Sequence, residues 1–179
     1  MRWSFKLHGC AAAALSAAAL VLAALTWLPG ALPLFEPVWP MVAVFCLALL
    51  LLLAAVVRHF AAGADRSAMW LAFRCLPGRV QAGLGFLALA GAVVVGLDAA
   101  GGRRLQDAEV REGRYVAYDT SVTRDRAVEL TRDEYLALLP GSRRWMFAVA
   151  GLMATGAAAG VLAVGELRRA DSASLTRVP

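Results

Sequence analysis

The sequence predicts an all-α membrane protein: a bundle of four transmembrane helices, with a small extracytoplasmic β-hairpin and a short helix between the third and the fourth. Its 179 residues are 60% hydrophobic and only 17% charged, which is too apolar for a soluble domain of ordinary composition. Four apolar runs have the length, about 20 residues, that crosses a hydrocarbon core of about 30 Å. The last two runs are separated by a polar segment, residues 98–144, that is far longer than a connector needs.

The first two apolar runs occupy residues 9–28 and 38–57. The first run follows Arg2 and Lys6, and it lacks the small-x-small site at which a signal peptide is cleaved, so we expect an uncleaved helix. Prolines interrupt the chain between the two runs, and proline breaks helices because it has no backbone N–H. A basic loop over residues 58–79 follows the second run.

The third run, residues 80–97, ends at Asp98, and the fourth, residues 145–164, has a pair of arginines on each side. Before the third run, residues 69–76 mix apolar and aromatic side chains with arginine, a composition typical of a segment that lies on the membrane surface. A tail that reaches residue 179 follows the fourth run.

Basic residues fall equally on the two sides of the predicted bundle. The amino-terminal end, the basic loop and the tail together hold nine, and residues 98–144 hold nine arginines. The first three helices favour one orientation, because the connector between the first two has no basic residue and early helices usually dominate topology. We therefore predict an inner or plasma membrane protein with both termini in the cytoplasm and residues 98–144 outside.

The polar segment is predicted to contain a hairpin. Aromatic and β-branched residues over 114–120 favour one strand, and alternation of polar and apolar residues over 126–130 favours a second. A two-stranded ribbon buries little surface by itself. We therefore expect it to pack against the membrane helices or a partner.

A short helix is expected directly after the hairpin, over residues 132–139. Thr131 and Glu134 have the spacing of a capping box, in which each side chain bonds the backbone N–H of the other residue. The helix is expected to end at Pro140-Gly141, before the fourth transmembrane helix begins.

The segment also resembles a known arrangement. Its matching residues are Gly113-Arg114-Tyr115, Tyr118 and Val128-Glu129-Leu130-Thr131-x-x-Glu134-Tyr135. This strand, hairpin and helix before a last membrane helix is similar to the loop of small uncharacterised four-pass membrane proteins of bacteria. The resemblance covers about one quarter of the chain, and it implies architecture only, without activity or functional residues.

Residue chemistry predicts neither catalysis nor cofactor binding. His8 and His59 are far apart and no Cys-x-x-Cys spacing occurs, so we expect no metal site. The acids of residues 98–144 are interleaved with arginines and lack a neighbouring histidine or cysteine, which favours a salt-bridged surface over an acid–base site. The centres of the four runs carry no ionisable residue, which disfavours an ion path through one copy. The net charge of +5 suits anionic lipid, and we expect no nucleic-acid partner.

Four residues are predicted to contact a partner: Tyr115, Tyr118, Glu134 and Tyr135. Exposed aromatic side chains on a short ribbon make good contact groups. An alternative role for Tyr115 and Tyr135 is to hold the segment against the membrane surface, where tyrosine is common.

Small residues form two predicted packing ridges, Gly156 with Gly160 in the fourth helix and Ala88, Ala92 and Gly96 in the third. Such ridges let helix backbones approach closely. Packing within one bundle is favoured here over packing between copies.

Three functions remain open at this stage. The leading hypothesis is a non-enzymatic accessory, sensor or self-protection protein whose outer segment contacts a protein partner. The second is a subunit of a homo-oligomeric small transporter or channel. The third is an envelope- or lipid-modifying enzyme that uses the carboxylates of Asp119, Asp133 and Glu134.

Overall fold

The computed structural model describes residues 3–28, 37–63, 65–101, 105–119 and 127–175. Within these ranges the chain is mostly helical, with five helices and one three-stranded sheet. In chain order the elements are α1 (Trp3–Leu25), α2 (Trp39–Ala62), α3 (Arg66–Arg74), α4 (Gly78–Ala100), β1 (Leu105–Arg111), β2 (Arg114–Asp119), β3 (Ala127–Leu130) and α5 (Arg132–Leu175).

Four of these helices, α1, α2, α4 and α5, are long and apolar enough to cross a membrane. Their number agrees with the four apolar runs of the sequence, and each run lies largely within its own helix. The remaining helix, α3, covers most of the segment predicted to lie on a membrane surface.

Local sequence explains where α2 and α3 begin and end. Pro40 lies in the first turn of α2, where a backbone N–H has no partner within the helix. Gly63 ends α2 in the left-handed conformation, with φ of 59°, and donates its N–H to the carbonyl of Phe60. Asp65 caps α3: its Oδ1 accepts the Ala68 amide at 2.6 Å and a serine hydroxyl at 2.8 Å.

Helix α5 lies at the centre of the fold. It packs against α1, α2, α3 and α4 and also contacts the sheet, whereas α2 and α4 each pack mainly against α5. In its most apolar stretch 61% of the residues are buried, compared with 33% or less in the other three long helices. The buried residues of this stretch are mainly small, among them Ala150, Ala154, Ala157 and Ala158, so the surrounding helices approach its backbone closely.

Three glycines allow the closest helix contacts. A Cβ atom at Gly9 would stand 2.5 Å from Leu162, and one at Gly91 would stand 2.6 Å from Leu152. A Cβ atom at Gly151 would stand 2.9 Å from the side chain of Leu20. A larger residue at any of these positions would require the facing leucine side chain or the helix that carries it to shift.

The predicted end of a helix at Pro140 is wrong. Residues predicted as a short helix (132–139) and as a separate fourth transmembrane helix (145–164) belong to the single helix α5, with Pro140 inside it. An interior proline costs about 3 kcal/mol. Leu139 and Phe147 are only 1% and 2% exposed, and burying a side chain of this size stabilises by about 1.5 to 3 kcal/mol. Packing on both sides of the proline therefore offsets its cost.

The sheet has the order β1-β2-β3 and is antiparallel throughout. Strands β2 and β3 match the predicted hairpin strands, while the turn predicted between them lies outside the described residues. Ala117, at the centre of β2, is fully buried because the sheet packs against the start of α5.

Strand β1 was not predicted, so the two-stranded hairpin is corrected to a three-stranded sheet. Glu112 and Gly113 join β1 to β2 in a two-residue turn with φ of 53° and 78°, the positive values that tight hairpins require. Glutamate is not a usual residue at such a position, and the register shifts between Gln106 and Glu109. Because of these two irregularities, the sequence pattern does not predict β1.

Candidate functional site

A hollow of about 350 Å³ lies where the sheet meets the beginnings of α2 and α5. Its described walls are Pro37 and Val38 ahead of α2, Val110 and Tyr115 in the sheet, and Arg132, Tyr135 and Leu136 in α5. Pockets of about 300 Å³ and more, mostly apolar and with a few polar groups, are typical of ligand and peptide sites. This hollow has that composition.

The tyrosines Tyr115 and Tyr135 form one wall of the hollow. Their ring centroids are 4.8 Å apart and the ring planes are tilted by 35°. Tyr115 is held in β2 between Val110 of β1 and Leu130 of β3, and Tyr135 lies in the first turn of α5. Two of the four predicted contact residues are therefore brought together, but they are less exposed than predicted, because Tyr115 is half-buried and Tyr135 is only 9% exposed. An aromatic pair of this kind is worth about 0.5 to 1.5 kcal/mol beyond its burial.

Arg132 places a positive charge beside this pair. It is the first residue of α5 and is exposed, although a cation is disfavoured at a helix amino terminus by the helix dipole. Among the described residues no carboxylate forms an ion pair with it.

Glu134 caps the start of α5 as predicted, while its contact with a partner stays a prediction. The Thr131 amide and hydroxyl each donate to its carboxylate at 2.8 Å, and the Glu134 amide donates to the Thr131 hydroxyl at 3.3 Å. The capping box is therefore confirmed. Because its carboxylate is engaged at the start of α5, Glu134 positions the helix and does not line the hollow.

Tyr118 lies on the opposite face of β2 from Tyr115, because the two residues are three positions apart and side chains alternate along a strand. Its hydroxyl donates to Glu109 of β1 at 3.1 Å. On β2 and β3, Arg114 and Glu129 form an exposed ion pair at 2.7 Å. These contacts hold the strands together outside the hollow.

Arg144 joins three helices below the hollow. Its Nε donates to the Thr26 hydroxyl at 2.9 Å, and its guanidinium lies 4.5 Å from the ring centre of Trp27. It also pairs with Asp98 at the end of α4, at 3.3 Å. In the sequence, Arg144 is recognisable only as one of the two arginines that precede the fourth apolar run. An acidic residue at the end of one apolar run and a basic residue at the end of another are only a weak indication of an ion pair, because the sequence does not show which residues pair.

The predicted small-residue ridges do not pack within the fold. Ala88, Ala92, Gly96 and Gly156 are exposed and Gly160 is half-buried. Within the described chain no atom from another helix lies within 4 Å of a Cβ built at any of these three glycines. The preference for packing within one bundle is therefore wrong for these residues, and packing between copies stays a prediction.

Metal-ligating side chains are scattered. The described ranges contain no group of three His, Cys, Asp or Glu residues that could hold a metal ion. The three cysteines, Cys10, Cys46 and Cys75, are exposed and unlinked.

These features define a mostly helical protein whose four long apolar helices are compatible with a membrane and whose sheet forms a hollow with the central helix. The chain matches no protein-family model, no curated protein and no solved structure. The function of the protein must therefore be argued from its own side chains.

Proposed function

We propose that the protein is a non-enzymatic, multi-pass protein of the inner or plasma membrane, an accessory, sensor or self-protection factor that binds a protein partner in its outer hollow. In this arrangement both termini and α3 lie on the cytoplasmic side. The sheet and the start of α5 lie outside.

Exposed apolar side chains support the membrane arrangement. On α2, Leu50 and Val57 are more than 60% exposed, and on α4 Phe86 and Leu89 are similarly exposed. Large apolar faces of this kind are costly in water. They are suited to contact with lipid, so α2 and α4 present the outer surface of the bundle.

The observation that carries the proposal is the tyrosine pair beside Arg132. Tyrosine and arginine are enriched among the residues that dominate protein interfaces. Tyr115 is half-buried and Tyr135 only 9% exposed, so Tyr115 offers part of an aromatic surface, and the exposed Arg132 adds a cation at the rim. This chemistry suits a partner segment that inserts an aromatic or apolar side chain next to a carboxylate.

The hollow is also held by regular elements, as a binding site requires. The capping box orients the first turn of α5, and the paired strands fix Tyr115. Little ordering is needed when a partner binds, which favours affinity.

In-cell photocrosslinking tests the proposal. A photoreactive residue at Val110, which lines the hollow and is 55% exposed, is expected to give a specific protein adduct. The matched control carries the same residue at Tyr118, on the opposite face of the sheet. The adduct at Val110 should disappear when Tyr115→Ala and Arg132→Gln are introduced together. An adduct that is equal at both sites, or that survives these substitutions, contradicts binding in the hollow.

The ridge of the exposed Gly156 and the half-buried Gly160, which contacts no other helix of the described chain, favours one alternative, a homo-oligomeric transporter or channel subunit. Helices with such ridges associate closely in membranes. Crosslinking that yields only adducts between copies of the chain supports this second function.

A further inference from the structure

A second concave surface lies at the other end of α5. It is a groove of about 420 Å³ between α3 and the carboxy-terminal part of α5. Leu71 and Ala72 of α3 and Leu167 and Ala170 of α5 make most of its wall apolar, and Cys75 lies at its edge. Leu167 is 32 residues beyond Tyr135, or about 48 Å along a helix. The groove and the hollow therefore lie at opposite surfaces of a bilayer about 40 to 45 Å thick.

Helix α3 is suited to the membrane surface. Trp70 and Leu71 are each 61% exposed, and Trp70 stacks on Phe73 at 6.0 Å. Arg66 and Arg74 stand at its two ends. A short helix with a large apolar face and basic ends lies in the headgroup region with its apolar side toward the acyl chains. The groove is then open to the acyl chains of the inner leaflet.

The surroundings of the groove are basic. Arg169 and Glu166 both line the groove and pair with each other at 3.6 Å, and their side chains are 66% and 16% exposed. The guanidinium groups of Arg58 and Arg168 lie 5.0 Å and 5.6 Å from the ring centre of Phe5, at the same end of the bundle. In the part of the chain that the structure describes, neither of these two arginines has an acidic partner. Glu166 offsets the charge of Arg169 in the groove wall, so the excess positive charge at this end of the bundle comes from Arg58 and Arg168. This excess complements an anionic headgroup.

We propose that the groove binds an anionic phospholipid of the inner leaflet, with one acyl chain along Leu71 and Leu167 and the phosphate beside Arg169. The lipid site rests on the proposed function in one respect only, that the protein is inserted in a membrane. It requires no protein partner, so loss of the outer adduct leaves it intact.

Native mass spectrometry of the full-length protein in detergent tests this site, with phosphatidylglycerol and phosphatidylcholine as probes. One phosphatidylglycerol is expected to bind about fivefold more tightly than phosphatidylcholine, the effect of about one arginine near a lipid headgroup. Ala170→Trp should fill the groove and remove this binding. Ala82→Trp is the matched control, because Ala82 is exposed near the start of α4 and does not line the groove. Arg169→Gln should abolish the preference for phosphatidylglycerol but keep weak binding of both lipids.

A second measurement, the labelling of Cys75, tests lipid binding without a substitution in the residues that line the groove. With Cys10→Ala and Cys46→Ala, Cys75 is the only thiol, and a neutral maleimide should modify it more slowly in phosphatidylglycerol nanodiscs than in phosphatidylcholine nanodiscs. Inorganic phosphate should not displace the lipid, because the acyl chain contributes to binding. Equal affinity for both lipids, binding that persists in Ala170→Trp, or displacement by phosphate alone would overturn the proposal.

Discussion

Arg144 is the residue whose removal we expect to destabilise the fold most directly. Its partner side chain Asp98 is 10% exposed and its own side chain is 14% exposed. Replacing Arg144 with methionine keeps much of the apolar stem but takes the cation away from a carboxylate that water reaches poorly. Breaking a buried pair costs about 3 to 5 kcal/mol. Because this pair keeps slight exposure, we expect the lower part of the range, about 3 kcal/mol.

The other contacts of Arg144 do not add in full to this figure. The hydrogen bond to Thr26 and the contact with Trp27 belong to the same small network, and neighbouring interactions are not additive. A double-mutant cycle with Asp98→Asn separates the pair itself. The combined variant should lose less free energy of unfolding than the sum of the two single variants.

Equilibrium unfolding of the full-length protein in detergent, by steric trapping, measures these differences. Arg114→Met is the matched control, since Arg114 and Glu129 form an ion pair whose side chains are 73% and 67% exposed. Exposed pairs are worth at most about 1 kcal/mol. If Arg144→Met costs no more than Arg114→Met, the described network does not hold α1, α4 and α5 together.

Three further predictions concern single positions in the helices. The α3 amide and hydroxyl that donate to Asp65 hold the pKa of its carboxyl below the ordinary value of 3.8. We therefore expect α3 to keep this cap above about pH 4 and to lose it as the pH falls through the lowered pKa. Hydrogen exchange of α3 should show the change, and Asp65→Asn should remove its pH dependence. Pro140→Ala should restore one backbone hydrogen bond and raise the free energy of unfolding by up to about 3 kcal/mol. A lower free energy of unfolding, measured by steric trapping, would contradict the conclusion that Pro140 lies inside one continuous helix. Gly151→Leu should destabilise the monomer because Leu20 occupies that space, whereas Gly156→Leu should leave unfolding unchanged and reduce only association between copies, as seen by crosslinking in membranes.

The four long helices were predictable because the length of an apolar run is itself the signal. The capping box was predictable for a similar reason, since Thr131 and Glu134 interact across three residues and nothing distant is needed. Both features depend on local sequence.

Contacts between helices were not predictable in the same way. The long helices are apolar on most faces, so their periodicity does not show which face meets a neighbour. Gly151 and Gly156 illustrate the difficulty, because both are small residues of one helix but only Gly151 faces another helix closely. The ion pair of Asp98 with Arg144 spans 46 positions in the chain, and no local pattern reports such a distance.

The hollow was only partly predictable. Aromatic residues in a polar segment pointed to Tyr115 and Tyr135, but the pairing of β2 with its neighbours and the docking of the sheet on α5 bring them together. Arg132 was overlooked because its importance comes from the walls around it.

The unbroken course of α5 has a mechanical consequence. Its 44 residues extend over about 66 Å, with the tyrosine pair near one end and the groove near the other. In the proposed membrane arrangement, the two proposed binding sites would therefore belong to one helix that joins the two membrane surfaces. A tilt of α5 by about 5° would move its far end by several ångströms, so a displacement at one site would be passed to the other through the helix itself.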